Sequence, residues 1–168
     1  DPEGALELMK LVAAPENFFY SHSFAIYYAE PFTHSGALAT YEASDDVTFY
    51  GGWTAGFDTG FDRFEGDIFL GGMTVNLGEN VSATYACTAG NWGFGTDASG
   101  YSHSIVVDVQ LPCRLKYVFQ SDYICYDGAV SNPASLVGPL GTPVLGNRYG
   151  VNNYWFYEIN ECLAAGLR

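Results

Sequence analysis

From residue 17 onward the sequence breaks into segments of about ten residues in which polar and apolar side chains alternate, separated by clusters of turn-forming residues. Successive side chains of a β-strand point to opposite faces, so a period of two predicts strands. The predicted strands span residues 17–28, 35–43, 47–57, 67–77, 81–90, 101–111, 115–125 and 148–159. The fold class indicated is therefore all-β, with antiparallel strands in up-and-down order.

The connections between these segments alternate in length. Tight turns are predicted at 44–46, 78–80, 112–114 and 160–162, whereas 58–66, 91–100 and 126–147 are long. Transmembrane β-barrels have this asymmetry, with short periplasmic turns, longer extracellular loops and strands of about 9 to 11 residues. We therefore expect a transmembrane β-barrel segment over residues 17–168, preceded by a lead segment of undecided structure over residues 1–16.

The amino-acid composition indicates that part of the protein surface faces a non-aqueous environment. Charged residues make up 15% of the chain and aromatic residues 17%, whereas soluble domains average roughly 25% charged residues. No apolar run approaches the ~18 residues that a spanning helix requires, so a membrane would be crossed by strands. Because the chain begins without an initiator Met and ends within a strand-like pattern, we expect a piece of a larger barrel, with about eight of its strands.

The two faces of several predicted strands differ in polarity. In segment 101–111 the odd-numbered positions hold Tyr, His, Ile, Val, Val and Leu, whereas the even-numbered positions include Ser102, Ser104 and Asp108. Segments 47–57 and 115–125 repeat this pattern, while the facing of 35–43 and 67–77 stays open. Lys or Arg on a lipid face costs roughly 2 to 4 kcal/mol near the midplane, so the polar faces are predicted to line a wet lumen. The pore-lining candidates are Thr48, Thr54, Ser82, Thr84, Thr88, Ser102, Ser104, Asp108, Gln110, Lys116, Gln120, Asp122, Asn152 and Glu158.

Aromatic residues near the segment ends fit the interfacial girdles of a membrane barrel, where the amphipathic ring lies at headgroup level. The residues expected there are Tyr101, Tyr117, Tyr123, Tyr149 and Trp155. An aromatic core within a soluble sheet is the alternative explanation, because any half-buried antiparallel sheet alternates in polarity.

No motif in the sequence predicts catalysis. The tetrapeptide Tyr-Ser-His-Ser occurs at 20–23 and 101–104, but adjacent strand residues point to opposite faces, so Ser102 cannot meet His103 within one strand. The acidic stretch 58–67 lacks the regular ligand order of a calcium loop. The cysteines lack metal-ligand spacing, although their even number permits two disulfides. We predict that the chain is not an enzyme and has no metal site or cofactor; the cysteines are Cys87, Cys113, Cys125 and Cys162.

The charge balance excludes one class of partner. The chain has 19 acidic and 6 basic residues, a formal net charge of −13. Such a chain repels phosphate backbones, so no nucleic acid is expected. In a pore, carboxylates favour positive ions, and the sequence therefore predicts a cation preference.

Several motifs carry a resemblance to a known family. The segment Phe18-Phe19-Tyr20-Ser21-His22-Ser23 and segments 31–41, 50–53, 69–74, 117–123 and 150–157 resemble the OmpL-like β-barrel porins of planctomycete bacteria. The resemblance spans roughly residues 15–168 and implies an antiparallel barrel with more strands than this chain holds. The cysteines depart from what such barrels, which pass an oxidising periplasm, are expected to contain.

The function expected is that of a bacterial outer-membrane porin for passive diffusion of small hydrophilic solutes or ions. Its partners would be outer-membrane lipid and the diffusing solutes, and assembly into a homo-oligomer is compatible with the pattern. The alternative is a secreted, soluble, all-β binding module for a carbohydrate-type ligand, with the aromatic residues forming a core and a stacking platform.

Overall fold

The computed structural model describes residues 34–57, 66–92, 99–127 and 147–168. Within them lie eight strands in one sheet: β1 (His34–Ser44), β2 (Val47–Phe57), β3 (Asp67–Asn76), β4 (Val81–Asn91), β5 (Ser99–Leu111), β6 (Leu115–Asp127), β7 (Arg148–Asn160) and β8 (Leu163–Leu167). Each strand pairs with the next along the chain, and every pairing is antiparallel. The predicted all-β, up-and-down fold class is confirmed.

Strands β1 to β7 agree with the predicted segments to within two residues at each end. The first predicted strand, 17–28, and the division at residue 16 lie outside the described residues. The last strand, β8, occupies the strand-like pattern at the end of the sequence. In the described part of the chain β1 and β8 end the strand order and do not pair with each other, so the sheet is open, as in an incomplete barrel.

The short turns form where the sequence predicts them, each with its own local chemistry. The Asp46 backbone N–H donates to Ser44 Oγ at 3.3 Å, and the Cys162 N–H donates to Asn160 Oδ1 at 2.9 Å. These side-chain bonds replace ladder bonds that end at the turn. Between β5 and β6 the chain reverses through Cys113 and Arg114, whose φ angles of 65° and 62° place both in the left-handed region.

Successive hairpins are displaced in one direction along the strands. The Asn76 N–H donates to the carbonyl of Asp46, the Gln110 N–H to that of Asn80, and the Glu158 N–H to that of Arg114. Each of these bonds joins a turn residue of one hairpin to the neighbouring strand of the next hairpin, which extends past the level of that turn. A constant direction of displacement is the stagger that strands need in order to tilt and close around an axis.

Glycine allows the strands to approach closely on one face. A Cβ added to Gly72 would lie 2.3 Å from the Tyr85 carbonyl oxygen, and one added to Gly52 would lie 2.2 Å from that of Ala37. No side chain fits there without movement of the backbone. Such glycine positions let a sheet bend strongly, as barrel walls must.

Among the described residues, no helix is long and apolar enough to cross a membrane.

Candidate functional site

Away from the register shifts at the two ends of β1, the pairing places even-numbered residues of β1 to β7 on one face of the sheet and odd-numbered residues on the other. One cross-strand row shows the even face: Tyr50, Gly72, Ala86, Ser104, Asp122 and Gly150. We call the even-numbered face the polar face and the odd-numbered face the apolar face. The facing of β1 and β3, which the sequence left open, is thereby fixed, with Leu38, Ile68 and Leu70 on the polar face.

Every pore-lining candidate lies on the polar face, because each has an even number and belongs to β2, β4, β5, β6 or β7. The register thus brings together residues that are distant in sequence. Further members of this face were missed by the sequence reasoning, among them Thr74, Arg148 and Tyr154. Thr74 was missed because apolar residues occupy both faces of β3, so the alternation there does not identify the polar face. Arg148 and Tyr154 could have been identified, because they have even numbers like the other polar-face residues of β7.

Burial and polarity are reversed relative to a water-soluble sheet. The buried strand residues, except Ala55 and Gly71, are even-numbered: Thr54, Gly56, Ile68, Thr88, Val118, Gln120, Asp122, Ile124 and Tyr154. Large apolar side chains of the opposite face are exposed, including Tyr149 at 73% and Trp155 at 40%. A sheet in water buries its apolar face instead. The apolar face therefore suits contact with a non-aqueous surrounding.

Charge follows the same division. The Asp, Glu, Lys and Arg residues of the polar face are Glu42, Asp108, Lys116, Asp122, Arg148 and Glu158. Acidic and basic residues at odd strand positions are Asp67 and Asp127, each at the long-connection end of its strand, and His103. Asp67 accepts a hydrogen bond from the Trp53 indole N–H. The central part of the apolar face therefore contains no Asp, Glu, Lys or Arg residue, which suits contact with lipid.

Hydrogen bonds join the polar face across the strands. Ser104 Oγ donates to Asp122 Oδ1 at 2.7 Å, and Gln120 Nε2 donates to the same oxygen at 3.2 Å. The Tyr154 hydroxyl donates to Gln120 Oε1 at 3.3 Å, which extends this network to β7. Lys116 forms a salt bridge with Asp108.

Hydroxyl pairs cover the neighbouring part of the polar face. Thr74 and Thr84 are joined at 3.0 Å between their Oγ1 atoms, and Thr88 Oγ1 lies 2.6 Å from Ser102 Oγ. The even strand positions of β2, β3 and β4 hold no Asp, Glu, Lys, Arg or His residue. It therefore presents mainly neutral hydrogen-bonding groups.

The aromatic residues expected at the interfaces all lie on the apolar face. Tyr117 and Trp155 face each other across β6 and β7 with ring centroids 4.4 Å apart. Tyr101 and Tyr123 both contact the imidazole of His103, at centroid distances of 5.5 Å each. Placement at membrane headgroups is compatible with this face and stays a prediction.

The Ser-His motif does not form a nucleophile and base pair. Ser102 and Ser104 lie on the polar face, and His103 lies on the opposite one, as strand geometry requires. The copy at 20–23 lies outside the described residues, as does most of the acidic stretch 58–67. In the described ranges no group of three or more His, Cys, Asp or Glu side chains is placed to hold a metal ion. All four cysteines are free thiols.

Comparison of the sequence with known protein families identifies one family that matches the chain. The model of the family described as putative beta-barrel porin-2, OmpL-like, matches residues 11–168. No curated protein and no solved structure matches the chain. The family match covers nearly all of the sequence, and the antiparallel up-and-down sheet with its reversed polarity agrees with it. The chain belongs to the OmpL-like β-barrel porin family.

Proposed function

We propose that this chain forms part of the wall of an outer-membrane diffusion channel for small hydrophilic solutes or ions. The single observation that supports it best is the reversal of burial: polar side chains pack on one face while aromatic and aliphatic side chains stay exposed on the other. In a barrel that closes with its polar face inward, that face surrounds the lumen and the apolar face contacts lipid.

The polar face supplies what passive diffusion needs. Hydroxyl pairs such as Thr88 and Ser102 can exchange hydrogen bonds with water and with hydrated solutes without a covalent step. The ion pair of Lys116 and Asp108 and the network around Asp122 keep charged groups on this wall. The pore-lining candidates would act together as a hydrated surface.

A cation preference is the finer part of the proposal. The polar face holds four Asp or Glu residues and two Lys or Arg residues, and Lys116 forms a salt bridge with Asp108. The short turns add Asp45, Asp46, Glu79 and Glu161 against Arg114. Carboxylates along a pore favour positive ions, although salt screens charges on exposed turns within about 8 to 10 Å.

The soluble binding module gains no support from the structure. It would require the aromatic residues to form a core, but large members of the apolar face such as Phe69, at 55% exposed, remain accessible. An exposed apolar face of this extent in water would promote association instead of monomeric solubility.

The test is conductance of the full-length protein reconstituted in planar lipid bilayers. We expect stepwise conductance and, under a KCl gradient, a reversal potential whose sign indicates cation preference. Stepwise conductance with an anion-selective reversal potential would leave the channel but remove the cation preference. Absence of conductance from protein that is folded and inserted would contradict the diffusion channel.

A further inference from the structure

Two uncharged polar residues, Ser121 and Asn153, lie near the middle of the apolar face. Ser121 is the central residue of β6, and Asn153 lies on β7 opposite Phe119, two positions before Ser121 on the same face. Apart from Asp67 and Asn91, at the long-connection ends of their strands, the odd-numbered positions of β2 to β4 hold no Ser, Thr, Asn, Gln, His or charged residue. The apolar face is therefore more polar over β6 and β7 than over β2 to β4.

The hydrogen-bonding groups of these two side chains are not fully used. Asn153 Oδ1 accepts a hydrogen bond from the Tyr117 hydroxyl at 2.7 Å, but the Nδ2 donors of Asn153 have no partner among the described residues. The Ser121 hydroxyl has none within the described ranges either, and it lies between Ile105 and Val151. Hydrocarbon cannot hydrogen-bond these groups, so contact with lipid alone would cost free energy at this depth.

The stagger of the strands places Ser121 and Asn153 at nearly the same depth in a membrane. The turn residue Arg114 lies beside Glu158, whereas β7 itself turns about three residues later, so a line of constant depth moves by about one and a half residues per strand towards the short turns. From Ser121 to Asn153 the shift is two residues in the same direction. A second copy inserted in the same sense carries both side chains at this depth as well.

A second copy of this chain offers the partners that these polar groups lack. An amide supplies two N–H donors and an oxygen with two lone pairs. Asn153 of one copy can therefore donate to Asn153 of another and accept in return, across a two-fold axis along the membrane normal. Such an axis keeps every residue at its own depth and brings the same surface of both copies together. An unrelated protein would need its own polar group at the matching depth.

Charge and area also suit contact between two copies. The chain has a formal net charge of −13. The odd-numbered positions of β5 to β7, however, hold no Asp, Glu, Lys, Arg or His residue other than His103 and, at a strand end, Asp127. The three strands have 13 residues each. At about 3.3 Å per residue and about 4.8 Å between strands they present roughly 600 Å² per copy, and stable interfaces bury about 600 to 1,000 Å² per partner.

We propose that the apolar face of β5 to β7 is a contact surface between two copies of this chain in the membrane, with Asn153 and Ser121 at its centre. The apolar face of β2 to β4 stays in contact with lipid. Dilution in lipid separates the copies, and each copy alone then exposes its whole apolar face to lipid. This inference rests on the membrane insertion contained in the proposed function and does not depend on conductance.

Tryptophan fluorescence measures the contact. Trp155 follows Asn153 on the apolar face of β7, whereas Trp53 lies on the apolar face of β2, outside the proposed contact. Each would be kept as the only tryptophan of the full-length protein, with Phe at the other two positions, in phosphatidylcholine vesicles whose brominated acyl chains quench indole fluorescence. As the protein-to-lipid ratio rises, we expect the quenching of Trp155 to fall and that of Trp53 to stay unchanged.

Variants of the protein that keeps only Trp155 test the two polar residues. Asn153→Leu should raise the protein-to-lipid ratio at which the quenching has fallen halfway by about three- to tenfold, the effect of hydrogen bonds as strong as those between membrane helices. Ser121→Ala, which removes only a hydroxyl, should shift this ratio in the same direction and keeps the test decisive if Asn153→Leu does not fold. Asn152→Leu, the same change on the polar face, should leave the ratio unchanged.

The outcomes separate this contact from membrane insertion itself. Quenching of Trp155 that is independent of the ratio would overturn the proposal, as would an equal fall for Trp53, which indicates unspecific aggregation. A shift in Asn152→Leu as large as that in Asn153→Leu, or no shift in any folded variant of the apolar face, would also overturn it. Absence of quenching of both tryptophans at the lowest ratio would contradict membrane insertion, and the proposed function would then fail together with this contact.

Discussion

Ile105 and Val106 are adjacent in β5 and face opposite sides of the sheet. Ile105 lies between Tyr85 and Ser121 on the apolar face, and Val106 lies between Thr84 and Gln120 on the polar face. The two side chains are similar in size and sit at one level of one strand. They therefore offer a matched pair for testing which face meets lipid.

We expect Ile105→Lys to destabilise the protein in lipid bilayers by about 2 to 4 kcal/mol, because the ammonium would face hydrocarbon. Val106→Lys should cost clearly less, since a lumen tolerates charge. The measurement is the free energy of unfolding of the full-length protein from bilayers by urea. Equal losses in the two variants, or a larger loss at Val106, would contradict the assignment of faces.

The close strand approach at Gly72 gives a second prediction. A methyl group there would lie 2.3 Å from the Tyr85 carbonyl oxygen, whereas one at Gly51 on the apolar face would meet nothing within 4 Å. We expect Gly72→Ala to lower the free energy of unfolding by about 1 to 3 kcal/mol through overpacking. Gly51→Ala should change it by less than about 0.5 kcal/mol. Heat-dependent migration in gels gives the folded fraction of each variant, and equal behaviour would argue against the tight approach.

The turn between β5 and β6 gives a third prediction. Cys113 adopts a φ of 65°, which costs a residue with a Cβ about 1 to 2 kcal/mol relative to glycine's freedom there. Cys113→Gly should therefore raise the free energy of unfolding by up to about 1 kcal/mol, which would be measured as a higher urea midpoint. Cys162→Gly is the control, because Cys162 is exposed in the next short turn and is not among the described residues with positive φ. It should be neutral or lose about 0.5 to 1 kcal/mol through added chain freedom.

The strands and short turns were predictable because alternation and turn chemistry are local properties. The alternation of Leu115, Tyr117 and Phe119 with their neighbours indicates within a few residues that these three share one face of the sheet. The turn at 112–114 is predicted where this alternation breaks. The face of β3 was not predictable, since Ile68 and Leu70 are apolar yet lie on the polar face. Their placement depends on register with β2 and β4, which local pattern does not fix.

The candidate site was predictable as a set of residues but not as a network. Even numbering placed Ser104, Gln120 and Asp122 on one face, whereas the convergence of two donors on one oxygen of Asp122 depends on the pairing of β5 with β6 and on side-chain rotamers. Gly150 lies opposite Asp122 because of the register in which β6 pairs with β7. Such pairwise relations arise from tertiary register and carry no sequence signal of their own.

The central claim is that the apolar face contacts lipid, and the tryptophans test it most directly. Trp53 and Trp155 are exposed on the apolar face, at 43% and 40%, whereas Trp92 is 3% exposed and its ring covers Gly100 on the polar face. Single-tryptophan variants of the full-length protein, with Phe at the other two positions, would be reconstituted in lipids with brominated acyl chains, which quench indole fluorescence on contact. We expect strong quenching of Trp53 and Trp155 and little of Trp92. Quenching of Trp92 alone, or of none of the three in inserted protein, would contradict the account.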